Sequence, residues 1–145
     1  MDDAFVQIPI ALIACGNKQP HMEYLRNATR NREEWVHWNV VGDLPKDPEG
    51  GGVSPHENGT YPVTIIQVFR QEGFPKVVME ICDFATKNFL ERGGAGISVA
   101  CNKGNHRSHV SALKSAQILN TITTPNRQRV FNVQVFALNQ GYGKN

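Results

Sequence analysis

The last third of this chain contains no acidic residue. All 13 Asp and Glu residues of the 145-residue sequence lie before position 101, whereas six of its 15 Lys and Arg residues lie after it. A cationic segment without carboxylates favours a phosphate-bearing partner, because the distribution of charge governs which ligands a surface attracts. The same absence excludes a catalytic Asp or Glu downstream of position 101.

Cysteine is also scarce. Cys15, Cys82 and Cys101 cannot all pair within one chain, and the N-terminus carries Asp2 and Asp3 where a secretory signal would carry Lys or Arg. These features predict a reducing, cytoplasmic location for the protein.

A long apolar run is missing as well. Residues 5–15 are too few to span a bilayer and are interrupted by Gln7 and Pro9, so they predict a buried strand and no membrane partner. With 40% hydrophobic residues, the chain suffices for one compact domain and is too short for two ordinary ones. We expect a single domain over residues 1–145, with its core at about 5–138 and a flexible tail over 139–145.

Hydrophobic patterning predicts strands that alternate with helices. Strands are expected over residues 8–14, 35–41, 97–100 and 129–138, and helices over 20–32, 61–70, 74–91 and 108–119. Residues 61–70 suit a strand by composition, but Ile65, Ile66 and Phe69 recur at helical spacing. Residues 42–60, rich in Pro and Gly, predict a long loop. The fold class is therefore α/β, a mostly parallel sheet of about four strands with helices on both faces.

A candidate anion site lies at residues 101–108, between a predicted strand and a predicted helix. Loop N–H groups and the positive end of the helix dipole can surround a negative group there. Gly104 permits close backbone approach, and the guanidinium of Arg107 matches two oxygens of a phosphate. The ligand predicted is a phosphate ester, bound by Asn102, Lys103, Gly104, Asn105, His106, Arg107 and Ser108.

The same segment has the Cys-x5-Arg spacing of cysteine-dependent phosphatases. A cysteine at a helix N-terminus beside a cation is stabilised as its nucleophilic thiolate. Cys101 would attack phosphorus, Arg107 would hold the phosphoryl oxygens, and Asp43 or Asp47 would supply the general acid. Both aspartates are also typical turn formers.

A zinc site is the competing interpretation, because Cys101, His106 and His109 offer three ligands. The sequence shows no fourth ligand, and the spacing fits no common zinc pattern. We therefore predict neither a metal nor a cofactor, and place His109 on the helix surface.

Cys101, Gly104, His106, Arg107 and Ser108 together resemble the Cys-x-x-Gly-x-His-Arg-Ser signature of the C-terminal domain of the bacterial RNase adaptor protein RapZ. The order of elements after Gly59-Thr60-Tyr61-Pro62-Val63 is similar too. The resemblance implies an α/β domain that binds phosphorylated ligands, including an amino-sugar phosphate and structured RNA, without established phosphatase chemistry. This sequence departs from it in Asn102-Lys103 and in lacking the Gly-x4-Gly-Lys-Ser/Thr motif of the adaptor's nucleotide-binding domain.

Three functions follow, in order of preference. The first is binding of a phosphosugar, a nucleotide or an RNA phosphate, with Arg127 and Arg129 as a basic edge. The second is phosphatase catalysis by Cys101, and the third is a structural domain with a vestigial loop. The expected partner is a phosphorylated small molecule or RNA, and homo-oligomer formation stays open.

Overall fold

The chain folds as an α/β domain around a four-stranded parallel sheet. The computed structural model describes residues 7–16, 35–48, 61–92, 95–101 and 106–137. The strands are β1 (Ile8–Gly16), β2 (Trp35–Asn39), β3 (Ala95–Cys101) and β4 (Phe131–Ala137), and the helices are α1 (Pro62–Phe69), α2 (Phe74–Arg92) and α3 (Arg107–Leu119). All neighbouring strands are parallel, in the order β2-β3-β1-β4. The predicted fold class is confirmed.

The ambiguous segment before α2 is a helix, as predicted. Pro62 is its first residue, where the missing N–H costs no hydrogen bond, and the preceding Tyr61 is extended. Thr64 and Val68, four residues apart, are its buried positions. The helix predicted over residues 20–32 lies outside the described part of the chain.

The core lies between one face of the sheet and the described helices. Alternate residues of β1 (Ile10, Leu12 and Ala14) share one hydrophobic cluster with residues of α1, α2 and α3. The opposite face is also buried, at Ile13 and Cys15. Among the described residues, the helices contribute to the first of these two clusters, so helices on both faces remain a prediction.

Helix α3 packs closely because much of its buried side consists of small residues. Ser108, Ser111, Ala112 and Ser115 are all fully buried, and the helix contacts β1, β3, β4 and α2. The hydroxyls of Ser111 and Ser115 donate to carbonyls one turn earlier, at 2.7 and 2.8 Å, so these two polar groups are satisfied in the interior.

The strand order creates a topological switch point between β1 and β3. The chain continues from β1 to β2 on one side of the sheet and from β3, through α3, to β4 on the other. The two carboxyl ends lie side by side, with Gly16 paired to Cys101. Open parallel sheets bind ligands at such points, where loops from adjacent strands diverge and leave a crevice.

No helix in the described part of the chain is both long and apolar enough to cross a membrane.

Candidate anion-binding site

Cys101 and Ser108 meet at the carboxyl edge of the sheet. Cys101 is the last residue of β3 and is 3% exposed. Its thiol donates a hydrogen bond to Ser108 Oγ at 3.4 Å. The two ends of the predicted loop are therefore adjacent. The predicted ligands Asn102, Lys103, Gly104 and Asn105 lie outside the described residues and stay predictions.

The N-terminus of α3 is buried and carries no acidic group in its first turn. His106 precedes the helix, and its side chain makes no capping hydrogen bond to the helix. The helix starts there because Val110 N–H donates to the His106 carbonyl at 2.9 Å. The first N–H groups of a helix have no partner within the helix and form its positive end, so this turn favours an anion.

Arg107 is a buried cation whose guanidinium is incompletely paired within the described structure. Its side chain is 2% exposed, Nη1 donates to the Leu44 carbonyl at 2.8 Å, and Nη2 lies 3.6 Å from Asp47 Oδ2. Its Nε is also buried and has no hydrogen-bond partner in the described structure. Buried N–H groups are nearly always paired, because an unpaired one loses its hydration without compensation. An acceptor for the Nε–H of Arg107 is therefore expected among groups outside the described residues.

Asp47 faces the side chains of His106 and Arg107 at the start of α3. Its Oδ2 lies near Arg107, and its Oδ1 lies 3.5 Å from His106 Nδ1. The Asp47 side chain is 34% exposed, whereas His106 and Arg107 are almost completely buried. The carboxylate thus approaches the helix N-terminus from the solvent side.

The post-β2 segment, residues 40–48, holds Asp47 in this position. Leu44 is fully buried, and its N–H donates to the Val40 carbonyl at 2.8 Å. Gln71 clamps Lys46 by accepting from its N–H at 3.0 Å and donating to its carbonyl at 2.7 Å. The first part of the long loop predicted over 42–60 is therefore fixed by buried contacts, and residues 49–60 lie outside the described chain.

Asp43, the other candidate acid, is paired with Lys76. Its carboxylate accepts from Lys76 Nζ at 3.2 Å, at the rim of a separate cleft of about 820 Å³. The Asp43 hydrogen bond is the main reason why the pKa of Lys76 is raised. Of the two aspartates, the structure brings Asp47 to the helix N-terminus.

Arg127 and Arg129 are at the opposite end of the sheet. Gln7, next to the start of β1, donates to the Arg129 carbonyl at 3.5 Å, whereas Cys101 pairs with Gly16 at the end of that strand. Nine residues of strand separate the two ends by about 26 Å, at roughly 3.3 Å per residue. The structure does not bring this basic edge to the Cys101 site.

His109 departs from the prediction that it lies on the helix surface. It is 8% exposed, because the first turn of α3 is surrounded on all sides. Within the described ranges, no group of three or more His, Cys, Asp or Glu residues is arranged to hold a metal ion.

Two participants in this arrangement have no recognisable signal in the sequence. The Leu44 carbonyl binds Arg107, and the Gln71 side chain positions the segment that carries Asp47. A backbone carbonyl has no signature in a sequence, and a single Gln in a turn is unremarkable.

Comparison with protein-family models finds none that matches this chain, and a search of curated proteins finds no significant match. The resemblance to the RapZ C-terminal domain therefore depends on the residues quoted above.

Proposed function

We propose that this domain binds a phosphate ester at the N-terminus of α3. The observation that carries the proposal is the buried Arg107 guanidinium, whose Nε has no partner in the described structure although it lies in the first turn of a helix. The site is at the switch point of the sheet, where backbone N–H groups and a fixed cation can act together. Residues 102–105 are proposed to complete the anion-binding loop.

A phosphorylated small molecule is a better candidate than RNA. RNA binding depends on many phosphate contacts spread over a basic surface. Arg127 and Arg129, which would have extended such a surface, are roughly 26 Å from the carboxyl edge of the sheet. The site is also buried, which suits one phosphoryl group more than a continuous strand.

Thermal unfolding with inorganic phosphate, glucosamine 6-phosphate and adenosine monophosphate tests the proposal. A ligand at one hundred times its dissociation constant stabilises the folded state by about 2.7 kcal/mol, enough for a shift of several degrees. No shift with any of the three at 10 mM would overturn the proposal. RNA binding would instead appear as an affinity that falls steeply with added salt.

The matched variants are Arg107→Lys and Arg129→Lys. Lysine keeps the charge but lacks Nε and the planar fork, so Arg107→Lys should weaken phosphate binding at least tenfold. Arg129 is exposed at the other end of the sheet, so its variant should bind phosphate as the wild type does.

Phosphatase chemistry is the second candidate, and the Cys101–Ser108 contact favours it. A serine hydroxyl 3.4 Å from the sulfur can donate to a thiolate. The thiolate would form a bond to phosphorus while the bond from phosphorus to the ester oxygen breaks. That oxygen would take a proton from a carboxylic acid, and water would then hydrolyse the thiophosphate. Asp47 is a better placed acid than Asp43.

An aryl phosphate assay separates the two candidates. Turnover that is lost in Cys101→Ser would support catalysis. Equal turnover in both proteins, or none in either, would leave binding as the function.

A further inference from the structure

The charged groups around Arg107 indicate how the phosphate site is regulated. This inference rests on the proposed function. The carboxylate of Asp47 divides its two oxygens between His106 and Arg107, the residues on which the predicted phosphate would depend. It comes from a different part of the chain than the helix, because 59 residues of sequence lie between Asp47 and Arg107. We propose that Asp47 is an internal competitor, which a phosphate must displace from Arg107 in order to bind.

The lengths of the two contacts support displacement. Charge-assisted hydrogen bonds between a guanidinium and a carboxylate measure about 2.7–2.9 Å. The Asp47 oxygens are 3.5 and 3.6 Å from their nitrogen partners, so the pairing is electrostatic and not a tight bidentate bond. By contrast, Arg107 holds the Leu44 carbonyl at 2.8 Å. An entering anion can therefore replace the carboxylate while the hydrogen bond to Leu44 persists.

The Asp47 carboxylate is partly exposed to solvent, so it can leave Arg107. The Asp47 side chain is 34% exposed, so rotation about its own side-chain bonds returns it to water. The backbone on either side stays in place, because Gln71 clamps Lys46 and Pro48 is buried. A change of the Asp47 rotamer can therefore move the carboxylate away from Arg107 while Lys46 and Pro48 stay in place.

Competition of this kind has a defined energetic consequence. While Asp47 is in place it compensates the buried charge of Arg107, which would otherwise be costly. An entering anion breaks the pairing of Asp47 with Arg107 and is repelled by the nearby Asp47 carboxylate. Removing the charge of Asp47 should therefore destabilise the ligand-free protein and tighten its binding of phosphate.

The experiment measures the dissociation constant of inorganic phosphate by calorimetry for wild type, Asp47→Asn and Asp43→Asn. Asp47→Asn should bind about tenfold more tightly, because the variant removes a negative charge that competes for Arg107. Asp43→Asn removes a carboxylate from the same segment that is paired with Lys76, and should leave the constant unchanged.

Each other outcome has a distinct meaning. Unchanged or weaker binding by Asp47→Asn would overturn the competitor role while leaving the proposed function in place. If neither wild type nor the variant binds phosphate, the proposed function itself fails.

A crystal of the wild-type protein soaked in phosphate tests the same inference without depending on a variant that folds. Asp47 Oδ2 should then lie beyond 4 Å from Arg107 Nη2, with phosphate on the guanidinium. Phosphate bound with the Asp47 contact intact would refute competition.

Discussion

Arg107 Nη1 donates a hydrogen bond to the Leu44 carbonyl at 2.8 Å, and this contact joins the first turn of α3 to the segment that follows β2. Both partners are buried, at 2% and 0% exposure. The guanidinium therefore has a structural role in addition to the proposed contact with phosphate. Among the described residues, Nη1 makes this structural bond, and Nε has no partner.

Arg107→Met tests the structural role. Methionine fills a similar volume without a donor, so the Leu44 carbonyl loses its partner and Asp47 loses a cation. We expect a loss of about 2–4 kcal/mol in the free energy of unfolding. Urea denaturation measures it, with Arg129→Met as the exposed control, expected to change stability by less than about 0.5 kcal/mol. Equal stability of the two variants would show that the buried contact contributes nothing.

Cys82 gives the fold a defined dependence on pH. Burial raises the pKa of its thiol to about 11. Unfolded chains ionise the same group at about 8.5. The folded state holds its proton more tightly, so stability should fall as pH rises from about 9 and level off above about 11.

The measurement is the difference in the free energy of unfolding between wild type and Cys82→Ala across this range of pH. Taking the difference cancels the titration of lysines and tyrosines that the two proteins share. A difference that stays constant from pH 8 to pH 11 would contradict the assignment.

The sequence predicts the elements of this fold better than it predicts the site. Hydrophobic periodicity and helix-breaking residues locate α1, α2 and α3 to within a residue or two, because the spacing of apolar residues shows which face of a helix is buried. The spacing of apolar residues does not distinguish Asp43 from Asp47. The choice between them depends on the turn at Leu44 and the clamp by Gln71, which are contacts between distant parts of the chain.

Gly73 marks a close approach between the turn before α2 and the post-β2 segment. A Cβ at this position would overlap the Asp43 carbonyl oxygen. This oxygen belongs to the backbone, so it cannot move aside as the end of a flexible side chain can. Gly73→Ala should therefore destabilise the protein by about 1–3 kcal/mol, in the range of overpacked sites.

Gly42 is the matched control for that substitution. A Cβ there meets nothing within 4 Å, so Gly42→Ala should leave the thermal midpoint within about a degree of wild type. If both variants unfold at the wild-type temperature, the two segments do not pack as closely as the structure indicates.

Arg127 has a left-handed backbone, with φ of 66°, in the turn that leads to β4. Its N–H donates to the Thr124 carbonyl at 2.8 Å, and this bond holds the turn closed. A residue with a Cβ costs about 1–2 kcal/mol in the left-handed region, whereas asparagine adopts it more readily. Arg127→Asn should therefore raise the free energy of unfolding by roughly 0.5–1 kcal/mol. Gln128→Asn, one residue further along the exposed turn, should not raise the free energy of unfolding.

Because Arg127 is at the far end of the sheet, Arg127→Asn should also keep the wild-type affinity for inorganic phosphate. A weaker affinity would show that the basic edge does reach the ligand.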